Sequence, residues 1–401
     1  MTTAPPATRS ARHEVALWLV AATFFVIMGY STVPTPLYPL YQLRDGFSPF
    51  VVTIVFGVYA VGVIASLLLA GHVSDWIGRR PILLGAVGIE LVSAAVFILW
   101  PNLPGLIVGR LISGIGIGAA TGTATAYLAD LHRASRPGDG DGRFQLVSGA
   151  ANLIGLGAGS LVAGALADWF GAPLVVTYVV FGVLLLATLV ALWWSPETAR
   201  LPREQWPRWY PQRVSSGTSD PLGFLLAGAA AFAAFAVFGL FTSLAPGFVI
   251  GALHHPSRLL AGFVAFLVFF AASAAQAATT SWSDRMRFLA GVGAEAIGLV
   301  LVAIGMNATS LAVFLVGGAA AGAGAGLLFK AAVGAVVTTA REGARGEALA
   351  GLFLIAYAGI AVPVVGVGVA VRFVAPTTAV AWFAGVFVVV LVGLGVARVR
   401  R

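Results

Sequence analysis

The 401-residue sequence is 59% hydrophobic and 9% charged, with a formal net charge of +8. Ordinary soluble domains contain about 25% charged residues, and nucleic-acid-binding proteins cluster their basic residues on one polar face, so composition and charge pattern exclude both classes. The chain has no cysteine, which excludes disulfides and thiolate metal sites, and we expect neither a metal ion nor a cofactor.

Twelve apolar stretches are long enough to cross a bilayer, because a hydrocarbon core about 30 Å thick requires about 20 helical residues. The first six predicted spans cover residues 15–40, 49–70, 81–100, 104–130, 144–167 and 173–194. The last six cover residues 221–245, 257–280, 288–306, 310–338, 347–371 and 377–397. We therefore predict an all-α integral membrane protein with twelve transmembrane helices.

Arginine is distributed unevenly between the two sets of loops. With the N-terminus inside, the inner segments hold 18 arginines, whereas the outer ones hold only Arg44, Arg258 and Arg372. Positively charged loops of membrane proteins remain in the cytoplasm. We therefore expect both termini in the cytoplasm and a location in the inner (plasma) membrane of the cell.

The chain divides near its middle. Residues 195–220 are polar and rich in proline, which predicts a cytoplasmic linker between an N-terminal six-helix bundle (1–194) and a C-terminal one (221–401). A weak repeat supports this division. Four glycines of the fourth span recur 208 residues later in the tenth: Gly109, Gly114, Gly116 and Gly118 become Gly317, Gly322, Gly324 and Gly326. Parallel repeats are typical of transporters whose halves move about a central site.

A charged motif follows the second span, where residues 71–84 read G-H-V-S-D-W-I-G-R-R-P-I-L-L. It resembles the cytoplasmic signature of the major facilitator superfamily at Gly71, Asp75, Gly78, Arg79 and Arg80. A carboxylate and two guanidinium groups at a helix junction can form charge-assisted hydrogen bonds in one gate state and lose them in the other. The alternative is that the arginines only fix topology, which leaves Asp75 unexplained.

The fourth span contains L-I-V-G-R-L-I-S-G-I-G-I-G-A-A at residues 106–120, which is similar to a second motif of that superfamily. The resemblance implies twelve helices in two pseudo-symmetric bundles and a proton-coupling role for Arg110. The alternative for Arg110 is a side chain that reaches the membrane interface. In the fifth span, residues 155–164 resemble the antiporter motif of the family, but Ser160 replaces the expected proline, so export is only weakly supported and helix packing is an alternative.

Buried charges in the spans suggest where protons bind. Lys330, in the tenth span, is the only lysine of the chain. By depth along the helices, Glu90 can reach Arg110 and Glu295 can reach Lys330. We therefore expect two buried acid–base pairs, with all four residues as proton-coupling candidates. The alternatives are a protonated, packed glutamate in each case and a purely structural ion pair for Lys330.

Several polar residues occupy spans that we expect to surround a substrate cavity. The candidates are Tyr30, Thr32, Thr35, Thr121, Tyr127, Asn152, Gln276, Lys330 and Tyr357. Each of them can instead bond to a neighbouring helix. Among the aromatic residues, Phe24, Phe235, Phe238 and Phe241 are candidates for contact with an apolar ligand.

These observations predict a secondary transporter that exports a small apolar or drug-like compound in exchange for protons. Uptake of a small organic anion with protons is the nearer alternative, favoured if Lys330 faces the cavity. A receptor or scaffold without transport is a more remote one. The sequence contains no metallopeptidase or nucleophile-elbow motif, so we do not expect an enzyme. The expected partners are a small-molecule substrate, protons and the bilayer, without nucleic acid, and the expected state is a monomer.

Overall fold

The computed structural model describes residues 6–199, 201–202, 204, 206–341 and 343–400, with side chains from Ala11 onward. Its helices in the first half are α1 (Pro6–Thr32), α2 (Tyr38–Asp45), α3 (Pro49–Ala70), α4 (Ser74–Ile77), α5 (Arg79–Leu99), α6 (Leu103–Ser135), α7 (Gly142–Trp169) and α8 (Pro173–Trp193). Those in the second half are α9 (Pro221–Ser243), α10 (Ala245–Gly251), α11 (Arg258–Ala278), α12 (Asp284–Asn307), α13 (Leu311–Thr339), α14 (Arg345–Ala370) and α15 (Pro376–Val399). In the described part of the chain, twelve segments are long and apolar enough to span a membrane, which confirms the predicted helical fold.

Several of the long helices begin where the sequence supplies a capping group. Asn102, Ser257 and Ser310 each accept a hydrogen bond in their side chain from a backbone N–H in the first turn of the next helix. Such caps satisfy amide groups that lack a partner inside the helix. Proline at the start of α3 and α8 acts differently, because its missing N–H is not needed there.

The first predicted span is not one continuous helix. The structure ends α1 at Thr32, forms a short 3-10 turn at Thr35–Leu37, and resumes as α2. Pro34 and Pro36 cause the break, because neither can donate the backbone hydrogen bond that a continuous helix requires. A similar break separates α9 from α10.

We call α1–α8 the N-terminal bundle and α9–α15 the C-terminal bundle. Leu17, Phe24 and Tyr127 belong to a buried cluster of the first bundle, whereas Val237 and Leu328 belong to a cluster that is mainly in the second. The two bundles pack against each other through α7 with α11 and through α3 with α14. The arginine-rich end contains the junctions at Arg79, Arg143 and Arg345, and the opposite one is the arginine-poor end.

Glycine permits close contact between α1 and α7. A Cβ atom added to Gly159 would overlap the backbone of Gly29, and one added to Gly155 would lie 2.7 Å from the carbonyl oxygen of Phe25. Farther along α7, a Cβ on Gly164 would lie 3.1 Å from Leu259 Cα of α11. The segment that resembles the antiporter motif therefore packs helices in both bundles.

We expect Gly159→Val to destabilise the protein, because the added side chain must displace the backbone of α1. Overpacking of this kind costs about 1–3 kcal/mol, so the thermal unfolding midpoint of the purified protein should fall. Gly122→Val is the matched control, since a Cβ there meets no atom within 4 Å. Equal midpoints for the two variants would contradict this account of the α1–α7 contact.

Candidate functional site: a central cavity between the bundles

A cavity lies between the two bundles. Its N-terminal wall is formed by Met28, Ser31, Thr32, Thr35, Phe56, Tyr59, Arg110, Ile117, Thr121, Asn152, Leu153 and Leu156. Its C-terminal wall is formed by Phe235, Phe238, Thr242, Phe269, Phe329, Phe353, Tyr357 and Ile360. Because both bundles contribute, any relative movement of the bundles reshapes this cavity.

The two walls differ in chemistry. We call Phe235, Phe238, Phe269, Phe329, Phe353 and Tyr357 the aromatic wall. The ring centroid of Phe235 lies 5.0 Å from that of Phe329 and 5.6 Å from that of Tyr357, and the rings of Phe238 and Phe269 stack at 4.9 Å. The opposite wall supplies hydroxyl and amide groups and one guanidinium group. A ligand in this cavity therefore meets a continuous aromatic surface on one side and sparse polar groups on the other.

Arg110 is the charged residue of the cavity wall, and it is only 2% exposed. Its Nη1 donates a hydrogen bond of 2.6 Å to the carbonyl oxygen of Ser31, and its guanidinium carbon lies 4.0 Å from the ring centroid of Tyr59. Ser31 is in the last turn of α1, where carbonyl groups lose their helical partners. Arg110 therefore caps the broken first helix, and the alternative of a side chain at the membrane interface is wrong in this conformation.

Five of the predicted cavity residues line the cavity: Thr32, Thr35, Thr121, Asn152 and Tyr357. Of the four predicted aromatic ligand contacts, Phe235 and Phe238 line the cavity, whereas Phe24 and Phe241 do not. An aromatic residue in an apolar span gives no sign of which face it occupies, so the sequence did not predict the other aromatic lining residues: Phe56, Tyr59, Phe269, Phe329 and Phe353.

Tyr30, Tyr127, Gln276 and Lys330 do not line the cavity, which corrects the expectation for these four. The hydroxyl of Tyr30 is 3.1 Å from Ser93 Oγ, and that of Tyr127 donates to the carbonyl oxygen of Pro196. Gln276 Nε2 donates to the carbonyl oxygen of Gly326 at 2.9 Å, and Lys330 Nζ donates to that of Gln276 at 2.8 Å. Each side chain is used in a contact between neighbouring segments.

The two predicted acid–base pairs are not formed among the described residues, so that expectation is wrong for this conformation. Glu90 and Glu295 are both 0% exposed, and their carboxylate oxygens have no hydrogen-bond partner. Glu90 faces Gly116 of α6, where an added Cβ would lie 2.5 Å from its Oε1. Glu295 packs by its main chain against Gly324 of α13. Both glutamates thus lie against glycines that are related by the internal repeat.

The motif after the second span forms a charge cluster at the arginine-rich end. Arg79 contacts Asp75 at 2.5 Å and Asp130 of α6 at 3.3 Å. Glu197, which follows α8, accepts hydrogen bonds from the backbone N–H groups of Arg79 at 2.9 Å and Arg80 at 3.1 Å. This cluster joins three parts of the N-terminal bundle, and two of its members, Glu197 and Asp130, were not predicted from the sequence.

Gly71 and Gly78 frame this cluster. Gly78 has a φ of 123°, and a Cβ there would lie 2.8 Å from the carboxyl carbon of Glu197. The positive φ and the close contact both require glycine. A Cβ on Gly71 would lie 3.9 Å from Gln212 Oε1 of the linker, so the motif also contacts the segment that connects the bundles.

Hydrogen bonds join the bundles directly at the arginine-poor end. Asp168 of α7 accepts from Ser257 Oγ at 2.9 Å, from the Arg258 N–H at 3.1 Å and from the Leu259 N–H at 2.8 Å. We call this group the Asp168 latch. Because Asp168 caps the first turn of α11, separating the bundles at this end breaks three hydrogen bonds between them.

At the arginine-rich end, the linker connects the two bundles. The N–H of Gln212 donates to the carbonyl oxygen of Leu68 at 2.6 Å, and Ser215 Oγ donates to Glu347 Oε2 at 2.9 Å. His72 stacks on Tyr210 with centroids 4.7 Å apart. The linker is therefore packed onto both bundles.

Twelve spans in two bundles around a cavity are the architecture of a secondary membrane transporter. The family model of the Major Facilitator Superfamily matches residues 19–287, more than half of the chain. The chain belongs to this superfamily and is a multi-pass membrane transporter rather than an enzyme.

The curated relatives are similar over short segments. An uncharacterised superfamily transporter from Mycobacterium tuberculosis is 30% identical over 158 residues, which are 39% of this chain and 26% of the relative. A probable polyol transporter from Arabidopsis thaliana is 32% identical over 30% of this chain and 24% of its own length. An arabinose–proton symporter from Bacillus subtilis is 32% identical over 22% of this chain and 19% of its own length. The matched segments thus span about a quarter or less of these relatives.

Solved structures resemble the whole chain. The human organic anion transporter MFSD10 has a TM-score of 0.67 at 17% identity, covering 95% of this chain and 99% of that one. A peptide transporter in complex with alafosfalin has a TM-score of 0.75 at 11% identity, covering 99% of both chains. At such identities the likeness shows the fold alone.

We expect Asp168→Ala to favour separation of the bundles at the arginine-poor end, because the variant removes the acceptor of three hydrogen bonds. Spin labels on cysteines introduced at Gly171 and His255 should report a longer distance than in the parent protein. The control is Asp45→Ala, since Asp45 pairs with Arg44 inside one bundle at 2.8 Å. An unchanged distance in Asp168→Ala would show that the latch does not hold this end closed.

Proposed function

We propose that this transporter exports small, largely apolar organic compounds in exchange for protons. The aromatic wall of the central cavity carries the proposal, because a flat apolar compound can replace lipid contacts with contacts to these rings. A polyol needs hydrogen bonds on all its faces, and the aromatic wall would leave many of its hydroxyl groups unpaired. The sparse polar groups opposite suffice to orient a compound with few hydrogen-bonding atoms.

The relatives named for sugars and polyols point to another substrate class and to uptake. Their matches cover short segments, whereas substrate choice depends on a cavity built from both bundles. The anion-uptake alternative depended on Lys330 facing the cavity, and Lys330 instead donates to the carbonyl oxygen of Gln276. Because the chain belongs to a superfamily of transporters, we do not favour the alternative of a receptor or scaffold without transport.

Proton coupling is proposed to involve Glu90 and Arg110. A carboxylate that ionises without a partner inside a bilayer is costly, whereas a protonated carboxyl group is neutral. In this conformation Glu90 has no partner, and Arg110 is held by Ser31 and Tyr59. If α1 moves, Arg110 is released from the carbonyl oxygen of Ser31 and becomes available to a Glu90 carboxylate. Proton release would then accompany the movement of the bundles.

We further propose that the arginine-rich end and both termini are cytoplasmic, following the positive-inside rule, and that the protein lies in the inner membrane of the cell. The Asp168 latch would then close the outer end in this structure. The roles predicted from sequence for Glu295 and Lys330 stay predictions, as does a monomeric state.

The proposal is tested with purified protein in acid-loaded vesicles that contain a pH-sensitive dye. Nile red, a neutral apolar compound, should accelerate proton release severalfold, because each transport cycle exchanges it for protons. Sorbitol and arabinose should have no effect. Acceleration by sorbitol or arabinose, with none by Nile red, would overturn the substrate class. In whole cells, higher Nile red content on producing the protein would overturn the direction.

Glu90→Gln should reduce Nile-red-dependent proton release by at least about tenfold, since glutamine keeps the shape of the side chain but cannot carry the proton. Nile red fluorescence on binding should be retained, which separates coupling from binding. Glu295→Gln makes the same change in the C-terminal bundle and, together with Lys330→Ala, should have a smaller effect. Normal proton release in Glu90→Gln would remove the assigned role.

A further inference from the structure

A second cavity lies between the bundles at the arginine-poor end. We call it the end cavity. Tyr38 of α2 and Val52 of α3 line it from the N-terminal bundle. Ser243 of α9, Gly247 of α10 and Val371 line it from the C-terminal bundle. Like the central cavity, it is thus built from residues that separate when the bundles move.

The end cavity and the central cavity are neighbours along the same elements. Thr35 lines the central cavity and Tyr38 the end cavity, and on α3 the corresponding residues are Phe56 and Val52. On α9, Thr242 lines the central cavity and the next residue, Ser243, lines the end cavity. On α3, the four residues from Val52 to Phe56 rise about 6 Å, so at most roughly one turn of helix separates the two cavities on these elements.

The partition between the cavities is made of close helix contacts. A Cβ added to Gly368 of α14 would lie 3.0 Å from Thr53 Cβ of α3. One added to Gly239 of α9 would lie 2.9 Å from a methyl carbon of Val364. Both Gly368 and Val364 lie between Ile360, which lines the central cavity, and Val371, which lines the end cavity.

Hydroxyl groups near the partition are already satisfied by their own helices. Thr53 Oγ1 donates to the carbonyl oxygen of Phe50 at 2.7 Å, and Thr242 Oγ1 donates to that of Phe238 at 2.7 Å. Ser243 Oγ donates to the carbonyl oxygen of Gly239 at 2.6 Å. The partition therefore presents methyl groups and methylene groups rather than free polar atoms, and an apolar compound crosses it without leaving a buried polar group unpaired.

We infer that the end cavity is a second binding site for the transported compound, which receives it from the central cavity when the partition opens. Leu244, Phe248 and Ile250 give this cavity apolar walls, and its polar lining residues are Tyr38, Gln42 and Ser243. Its ligand is therefore of the same chemical class, an apolar compound with few hydrogen-bonding atoms. This inference rests on the proposed export function.

Glycine in α10 allows the end cavity to be filled selectively. Gly247 lines the cavity, and a Cβ there meets no atom within 4 Å, so a side chain can begin at this position without a clash at its first carbon. Gly247→Trp introduces the largest such side chain and is designed to occupy the cavity. We expect this variant to reduce Nile-red-dependent proton release at least about tenfold. Gly85→Trp is the matched control, because a Cβ on Gly85 of α5 also meets no atom within 4 Å.

The outcomes separate this inference from the proposed function. Wild-type protein without any Nile-red-dependent proton release would overturn the proposed function itself. Active wild-type protein with an equally active Gly247→Trp variant would overturn only the second site. Reduced activity in Gly247→Trp but not in Gly85→Trp would support it.

A second measurement uses the absence of cysteine, since single-cysteine variants can be made in the natural sequence. A membrane-impermeant thiol reagent applied from outside should modify Gly247→Cys, and Nile red should slow the reaction. His255→Cys, in the exposed loop after α10, should react without protection and thereby establishes sidedness. Thr121→Cys, in the central cavity, should not react from outside. Failure of Nile red to slow Gly247→Cys, or equal slowing at His255→Cys, would overturn the second site.

Discussion

The constraint that governs this structure is the lack of water in the bilayer interior, which obliges every backbone amide and carbonyl group to find a partner in the protein. Continuous helices satisfy it automatically, but the break after Thr32 does not. Pro34 and Pro36 remove two donors, and the carbonyl oxygen of Ser31 is satisfied by the guanidinium group of Arg110. A charged side chain at the cavity wall thus has a structural reason to be there before any role in transport is considered.

The same constraint explains why the two walls of the central cavity differ in chemistry. Helices that approach through glycine, such as α1 and α7, leave little space for side chains at their contact, and short hydroxyl residues bond to their own or adjacent helices. The hydroxyl of Thr32, for example, donates to the carbonyl oxygen of Leu156 at 2.6 Å and lies 3.0 Å from that of Gly29. The remaining surface of the cavity belongs largely to the rings of the aromatic wall. In the proposed function, selectivity for an apolar solute follows from the scarcity of hydrogen-bonding groups on that wall, where Tyr357 supplies a hydroxyl.

The helical architecture was predictable from sequence, since hydropathy, arginine spacing and loop prolines all act locally along the chain. The breaks in the first helix of each bundle were harder to predict from the sequence. The prolines that cause them are visible there, but a proline can also lie within a continuous membrane helix, as Pro363 does in α14. The proposed ion pairs failed for a geometric reason. Depth along a helix gives one coordinate of a side chain, but the rotation of the helix decides whether Glu90 faces Arg110 or Gly116. Contacts of Glu197 with Arg79 and Arg80 depend on residues more than 100 positions apart, which no local pattern indicates.

The linker sets a limit on how far the molecule can open. Only two residues separate Gln212, which is bonded to α3, from Ser215, which is bonded to α14. A fully extended chain spans at most about 11 Å over three residue steps. A wider opening between α3 and α14 at that end therefore requires one of these two hydrogen bonds to break. While both are intact, the length of this linker segment limits the size of a compound that can pass.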